Sequence, residues 1–391
     1  MSWPVRIISS PEPVPNMRWK RWMWGVGVLL FCIMFGYGVV ETLDGLPSSD
    51  FIELLLPLST VFISGYLFFF AFHIYYYGVC LSAHDRYLHD AQVLQNQWTE
   101  WANRSLYVSA SHFLLPEKIV VRDIIMGKST NVVKGQALRL DVDGAYTEEE
   151  LFNELLSSIR IKIKKISSEH VFDVIFTHEK NHTSFSVFRE SWCAAGLDDK
   201  IIQNCYFFKC SHEQVYEHVL NSEDNRVFIV ISINIDSQKR IGAGTTEFAS
   251  IILMSKKYSA LDNKDCGVML RPMECDKHEV ENKFAHMQAY QSEVLNAARV
   301  LFSNLEQTEI INVSTVLRNS ISVRMSDWEF ESHDLNMIVG NLSGEHFWLA
   351  LSLSLYFSEI KKESSFIING VGERVVFNLI KPFDDLKESV N

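Results

Sequence analysis

Two long apolar segments near the N-terminus constrain this chain most: Trp22 to Val40 and Leu54 to Leu81 contain no Asp, Glu, Lys or Arg. At a helical rise of about 1.5 Å per residue they span roughly 28 and 42 Å, enough to cross a hydrocarbon core of about 30 Å. The reading is a two-pass membrane anchor over residues 1–81. The segment before the first span carries Arg6, Arg18, Lys20 and Arg21, whereas the linker carries Glu41, Asp44, Asp50 and Glu53. By the positive-inside rule both the N-terminus and everything after Leu81 are cytoplasmic, which in a bacterium means the inner membrane. Trp19, Trp22 and Trp24, with Tyr75, Tyr76 and Tyr77, suit an aromatic belt at the same inner interface. Pro57 predicts a kink in the second span, and His73 reads as a helix-contact histidine.

The remaining chain divides into a juxtamembrane helix, 82–104, and one cytoplasmic module, 105–391. The whole chain carries a net charge of −12, of which the anchor contributes almost nothing. That excess of carboxylates disfavours nucleic acid and anionic lipid as partners and is compatible with a protein partner. Seven unevenly spaced cysteines (Cys32, Cys80, Cys193, Cys205, Cys210, Cys266 and Cys275) in a cytoplasmic setting read as free thiols.

Within the module, Leu106 to Ala110 reads as a strand. Thr147 to Ile163 reads as a helix with Thr147 as N-cap and three glutamates in its first turn. Val171 to Phe176 and Phe185 to Phe188 read as short strands and His212 to Leu220 as a helix. Val227 to Ile235 and Glu247 to Met254 are buried-type strands, and Cys266 to Met273 is another strand. Ala285 to Leu305 reads as a long helix and Thr308 to Val316 as a strand. Residues 345–359 are apolar nearly all round, so that helix should be buried. Ser365 to Asn369 and Val375 to Ile380 close the chain as two strands around a Gly-containing turn. Strands alternating with helices give an α/β architecture.

Two metal-like patterns occur. His178-Glu179-Lys180-Asn181-His182 matches H-E-x-x-H, whose histidines bind zinc one helical turn apart. Its flanks have strand and turn character, so a surface hairpin turn is the expected reading, with zinc hydrolysis as a remote alternative. Cys205, Cys210 and His212 lack the second pair that a zinc site uses, and read as buried thiols beside a helix-start histidine. Gly242-Ala243-Gly244 reads as a turn. No cofactor or metal is expected.

From Cys205 onward the element order resembles the thiolase fold of β-ketoacyl synthases, which implies a thiolase-like, layered α/β/α domain. The matching stretches are Asn204-Cys205-Tyr206, Val227 to Asp236, Thr246-Glu247-Phe248-Ala249-Ser250, Ile311 to Thr315, Gly340 to Gly344 and Asn369 to Glu373. In that family a nucleophilic Cys opens a buried helix, and two histidines polarise a thioester carbonyl and assist decarboxylation. The resemblance puts Cys205 near the nucleophile, with Cys210 as a second candidate. It puts Ser314 and Asn341 where the histidines stand, and His333 and His346 lie several residues out of register. Tyr206, Phe207 and Phe208 follow Cys205 where small residues normally admit substrate. Asn341 is expected to cap the second buried helix. The resemblance also implies a homodimer joined at an edge strand near the nucleophile.

A membrane hairpin fused to an acidic domain of this kind also resembles the anchored adaptors that accompany antibacterial phospholipase effectors of type VI secretion systems. The expectation is therefore a non-catalytic inner-membrane adaptor or chaperone for a protein partner such as a secreted effector. The enzymatic alternative is a membrane-surface acyltransferase or ketosynthase-like enzyme using Cys205.

Overall fold

The computed structural model describes residues 3, 11–42, 48–125, 133–140, 146–167, 170–178, 182–209, 211–235, 244–257, 267–322 and 330–383. Two compact units are present, 8–97 and the combination of 1–7 with 98–391.

In the first unit α1 (Trp19–Thr42) runs beside α2 (Ser48–Ala102), whose C-terminal turn belongs to the second unit. Trp22 packs against Tyr66, Phe70 and His73, with ring centroids 5.1 to 5.6 Å apart. Gly25 lets the Tyr66 ring lie against α1, and the Tyr66 hydroxyl donates to the Trp22 carbonyl over 2.6 Å. Leu56–Ala102 is long and apolar enough to cross a membrane by length and composition, and is the one such helix among the described residues. The expected juxtamembrane helix is the continuation of α2, without a break at residue 82.

The second unit is built twice from one plan. Its first half runs β1 (Ser105–Leu114), a short α3 (Val121–Ile125), α4 (Glu148–Ile166), β2 (Val171–Phe176), α5 (His182–Ala194), β3 (Ile202–Phe207), α6 (His212–Leu220), β4 (Arg226–Asn234) and β5 (Phe248–Ser255). The second half runs β6 (Gly267–Leu270), β7 (Met273–Asp276), α7 (Val280–Tyr290), β8 (Arg299–Ser303), α8 (Gln307–Ser322), β9 (Glu331–Asp334), the single turn α9 (Leu335–Ile338), α10 (Phe347–Lys361), β10 (Ser365–Val371) and β11 (Arg374–Pro382). The strands form one sheet in the order β3-β2-β4-β5-β1-β6-β11-β10-β8-β9, with β7 alongside β11. Setting β7 aside and numbering the other strands within each half, both halves read 3-2-4-5-1. In each, the second strand is parallel to the third and fourth, and the fifth is antiparallel to its neighbours. The first strands, β1 and β6, pair antiparallel at the centre.

Three cores follow from this doubling. Helices α4 and α5 cover the outer face of the first half through Leu155, Ile159, Phe188 and Trp192. Helices α7 and α8 cover the outer face of the second through Phe284, Met287, Val313 and Leu317. Between the half-sheets lie α6 and α10, with Val215, Leu349, Leu353 and Phe357 fully buried. The expected α/β/α layering is thus present twice, with α6 and α10 as the shared middle layer.

Several readings from sequence hold. Thr147 caps α4 in a capping box with Glu150, and α10 is buried nearly all round. Three do not. Phe185 to Phe188 is helical, because Ser184, Phe188, Ser191 and Trp192 face the core at i, i+4, i+7 and i+8. The long helix expected over 285–305 is α7 followed by strand β8. The strand expected over 308–316 is α8, which buries Ile310, Val313 and Leu317 on one face.

Candidate functional site

In open parallel sheets, crossovers that leave on opposite faces part the loops at the strand carboxyl ends and leave a crevice there. Here β8 leads through α8, on the outer face, to β9. β9 leads through α10, on the middle face, to β10 on the other side of β8. A crevice of about 590 Å³ lies at this switch point, and Asn304, Asp334, Asn336, Asn341 and Gly372 line it. That volume lies within the usual range for small-molecule sites.

Local chemistry fixes its walls. Asn304, just past the end of β8, sits in the left-handed region at φ 52°, a conformation Asn tolerates better than most residues. Its side-chain amide donates to the Gly370 carbonyl over 2.7 Å. Gly370 must lack a side chain, since a Cβ there would overlap the Asn304 carbonyl oxygen. The Asn336 side chain accepts from the Asn304 N–H at 3.2 Å and donates to the Leu305 carbonyl at 2.7 Å. The Asp334 carboxylate accepts from the Asn336 N–H at 3.0 Å.

On the opposite side three chain segments meet at Thr246. Its hydroxyl donates to the Val339 carbonyl at 2.9 Å and accepts from the Leu138 N–H at 3.3 Å. Its N–H donates to the Asn341 carbonyl at 2.7 Å, and the Asn341 N–H donates to the Gln136 carbonyl at 2.8 Å. Gly340, at φ +100°, passes so close to Gln136 that a Cβ would strike its carbonyl oxygen. His346 closes the arrangement. Its Nδ1 lies 2.9 Å from the Ser343 N–H, which donates to it, and its Nε2–H donates to the Thr246 carbonyl over 2.8 Å. Burial pushes this imidazole down to about 4. It is a neutral bracket with both nitrogens occupied and not a reacting base.

The residues singled out from sequence fare unequally. Asn341 lines the crevice, but it does not cap α10: its amide donates to the Gly244 carbonyl at 3.3 Å, and Ser343 with His346 forms the capping box ahead of that helix. Ser314 lies half-buried in the middle of α8, away from any strand end. The strand that follows α7 is β8, so the position the resemblance gives to the first histidine falls at Asn304. Cys205 lies inside β3 opposite Val174 and packs toward the outer core of the first half, not at the opening of a buried helix. The residue that does open α6 is His212, capped by Ser211; Cys210, just before it in sequence, is outside the described residues. His212 is buried, its ring centroid 5.0 Å from that of Phe347, and burial pushes it down to about 4. The starts of the two middle helices therefore meet.

The H-E-x-x-H reading as a surface hairpin turn is corrected. The chain passes from β2 into helix α5, which begins only at His182, so the two histidines do not share a helical turn. His178 stacks edge-on against Phe176 at 5.2 Å, both its ring nitrogens are buried without a partner, and burial lowers its pKa. Glu179 and Gly242-Ala243 lie outside the described residues. Among the described residues no three His, Cys, Asp or Glu side chains gather as a metal site. His333 stacks on Phe357 within the middle layer. Thr246 stood in a stretch matched to the family but without a role of its own, whereas Asn304, Asp334 and Asn336 were not singled out from sequence; reading 285–305 as helix hid the strand end that organises these three.

No protein-family model matches the chain, and no curated protein matches it. Among solved structures, a cerulenin-bound variant of Xanthomonas campestris OleA is similar with a TM-score of 0.50 at 8% identity, covering 73% of this chain and 98% of that one. AbyA1, a tetronic acid condensing enzyme, is similar with a TM-score of 0.47 at 9% identity, covering 70% and 99%. The second unit thus carries the thiolase-like fold of condensing enzymes. The expectation of a non-catalytic, non-enzymatic adaptor is not kept, because the fold found is the one that OleA also has. The likeness to type VI secretion adaptors gains no support from these structures.

Proposed function

We propose that the second unit is a ketosynthase-like acyltransferase that works on acyl thioesters beside a membrane. The observation that carries this reading is the crevice at the switch point of the second half, bounded by two stretches that resemble β-ketoacyl synthases, Gly340 to Gly344 and Asn369 to Glu373. Side-chain amides fixed there by hydrogen bonds to strand ends are preorganised dipoles of the kind that stabilise a thioester carbonyl as it gains negative charge. The family resemblance assigns the acyl-carrying thiol to a cysteine that opens a buried helix. Chain order favours Cys210, directly ahead of the cap of α6, over Cys205 inside β3.

The membrane part of the reading rests on α1 and α2 as a two-pass hairpin. Trp3, before α1, donates its indole N–H to the Pro272 carbonyl at 2.9 Å and packs edge-on against Trp101 at 5.6 Å. That pairing supports a bilayer crossed twice, with the chain's start and the second unit on the same side. Arg6, Arg18, Lys20 and Arg21, ahead of the apolar stretch that begins at Trp22, favour the cytoplasm as that side. Among the described residues β3 is an edge strand, and its free edge suits pairing with β3 of a second copy.

The test is chemical. Full-length protein in detergent is incubated with a short acyl thioester, or with a thiol-directed epoxide, and peptides are mapped by mass spectrometry. An adduct on Cys210 that Cys210→Ala abolishes supports the reading; an adduct on Cys205 alone moves the thiol to β3. Absence of any adduct on either cysteine refutes it.

A further inference from the structure

A transfer between thioester and acceptor needs a group that takes up a proton and gives it back, and among the described residues no histidine or cysteine lines the crevice. Five lining side chains can exchange protons. Lys277 is held by Glu309 at 2.6 Å, and the other oxygen of Glu309 accepts from the Glu306 N–H at 2.9 Å. Glu306 and Lys134 stand exposed at the rim. Asp334 is the remaining one. It is half-buried at the carboxyl end of β9, held by the Asn336 N–H, and linked through Asn336 to the Asn304 backbone that ends β8.

We infer that Asp334 is the proton-transfer group of this crevice. The inference rests on the acyltransferase reading above. The Asp334 carboxylate takes the proton from an acceptor thiol or hydroxyl, whose electron pair forms the new bond to the thioester carbonyl carbon. The C–S bond breaks, and the proton passes from Asp334 to the departing thiolate. Atoms and charge balance with no further reagent. Burial raises the carboxyl's pKa even though the N–H groups of Asn336 and Met337 and the charge of Lys134 pull it down. The shift moves the group toward neutral pH, where proton transfer in both directions is most effective. The other charges around the crevice are Lys277, Glu306 and Glu309.

The competing account is that Asp334 merely caps the four-residue α9. Asp334→Asn separates the two, because Asn caps a helix as well as Asp does but cannot carry the proton. Full-length protein is assayed for acyl transfer, for the cysteine adduct and for melting temperature. Expected for Asp334→Asn is a kcat lowered by about 10²- to 10⁴-fold, with unchanged melting and an adduct that still forms but is not passed on. In the wild type kcat/KM should fall as pH drops through the Asp334 pKa, since the base must be ionised. Lys134→Met should move that limb to higher pH by removing a charge that favours the ionised form. An Asp334→Asn enzyme with wild-type kcat and the same acid limb overturns the assignment alone. Wild-type protein that forms no adduct and transfers no acyl group overturns the underlying reading and this assignment together.

Discussion

His346→Ala should lower stability by an amount that shrinks as the pH falls. At neutral pH the substitution orphans the half-buried Ser343 N–H, while the Thr246 carbonyl keeps a second donor, the Asn234 amide at 3.1 Å. One orphaned donor costs about 1–3 kcal/mol, and losing the ring contact with Phe248, 4.7 Å between centroids, adds about 1 kcal/mol. The sum, about 2–4 kcal/mol, lowers the melting temperature by roughly 4–8 °C at about 2 °C per kcal/mol for a unit of this size. The pH dependence follows from the folded pKa, which burial holds at about 4, below the unfolded value of about 6.5. A depressed pKa means the stabilisation is complete above the unfolded value and is lost as pH falls toward the folded one. By pH 4.5 that loss reaches about 2.5 kcal/mol in the wild type and is absent from the variant. His212 titrates in both proteins and cancels in the difference. Thermal melts of the detergent-solubilised full chain at pH 7.5 and 4.5 read this directly. A gap between wild type and variant that stays constant across the two pH values would refute the neutral, doubly bonded His346.

Asn304→Gly removes the left-handed backbone strain as well as the amide bond to Gly370, so the two effects offset and melting should change little. Asn304→Ala keeps the strain and loses the bond, and should be less stable than the Gly variant by about 1 kcal/mol; equal melting of the two would contradict the assigned geometry. Thr147→Ala should cost about 1 kcal/mol by opening the capping box on α4, measured by melting. No change in acyl transfer is expected, because that cap lies on the outer layer of the first half.

How much of the fold is legible in the sequence depends on whether a segment's neighbours alter its reading. β4, β5, β10 and β11 are continuous apolar runs bounded by turns, and burial on both faces leaves such runs one outcome. The start of α4 is written in Thr147 and Glu150 because a cap acts within one turn of chain. Ile310-Ile311-Asn312-Val313-Ser314-Thr315-Val316 is dense in β-branched residues and reads as strand. It becomes helix because the outer face of the second half-sheet needs Ile310, Val313 and Leu317 on one side. Reading that segment as strand carried the first histidine position to Ser314, and reading 285–305 as one helix hid the strand end at Asn304.

The candidate site was legible only in part, for the same reason. Asn341 and the stretch that ends β10 stood out because Gly340 to Gly344 and Asn369 to Glu373 resemble β-ketoacyl synthases. The roles of Thr246 and Asn336 carry no local signature, since their partners lie in distant segments of the chain, and Asp334, whose cap on the Asn336 N–H is local, reaches the crevice only through the pairing of β9 with β8. By itself the sequence determined the apolar segments, the Thr147 cap and the buried strands, all properties of neighbours within about one turn or one strand, together with the net acidity of the chain. Only the tertiary structure decided that the two halves share one topology, that α6 and α10 meet at their starts, and that the crevice opens between β8 and β10. Those depend on which strands pair and on which face each crossover lies, and pairing across the chain is set by the packing of the whole sheet.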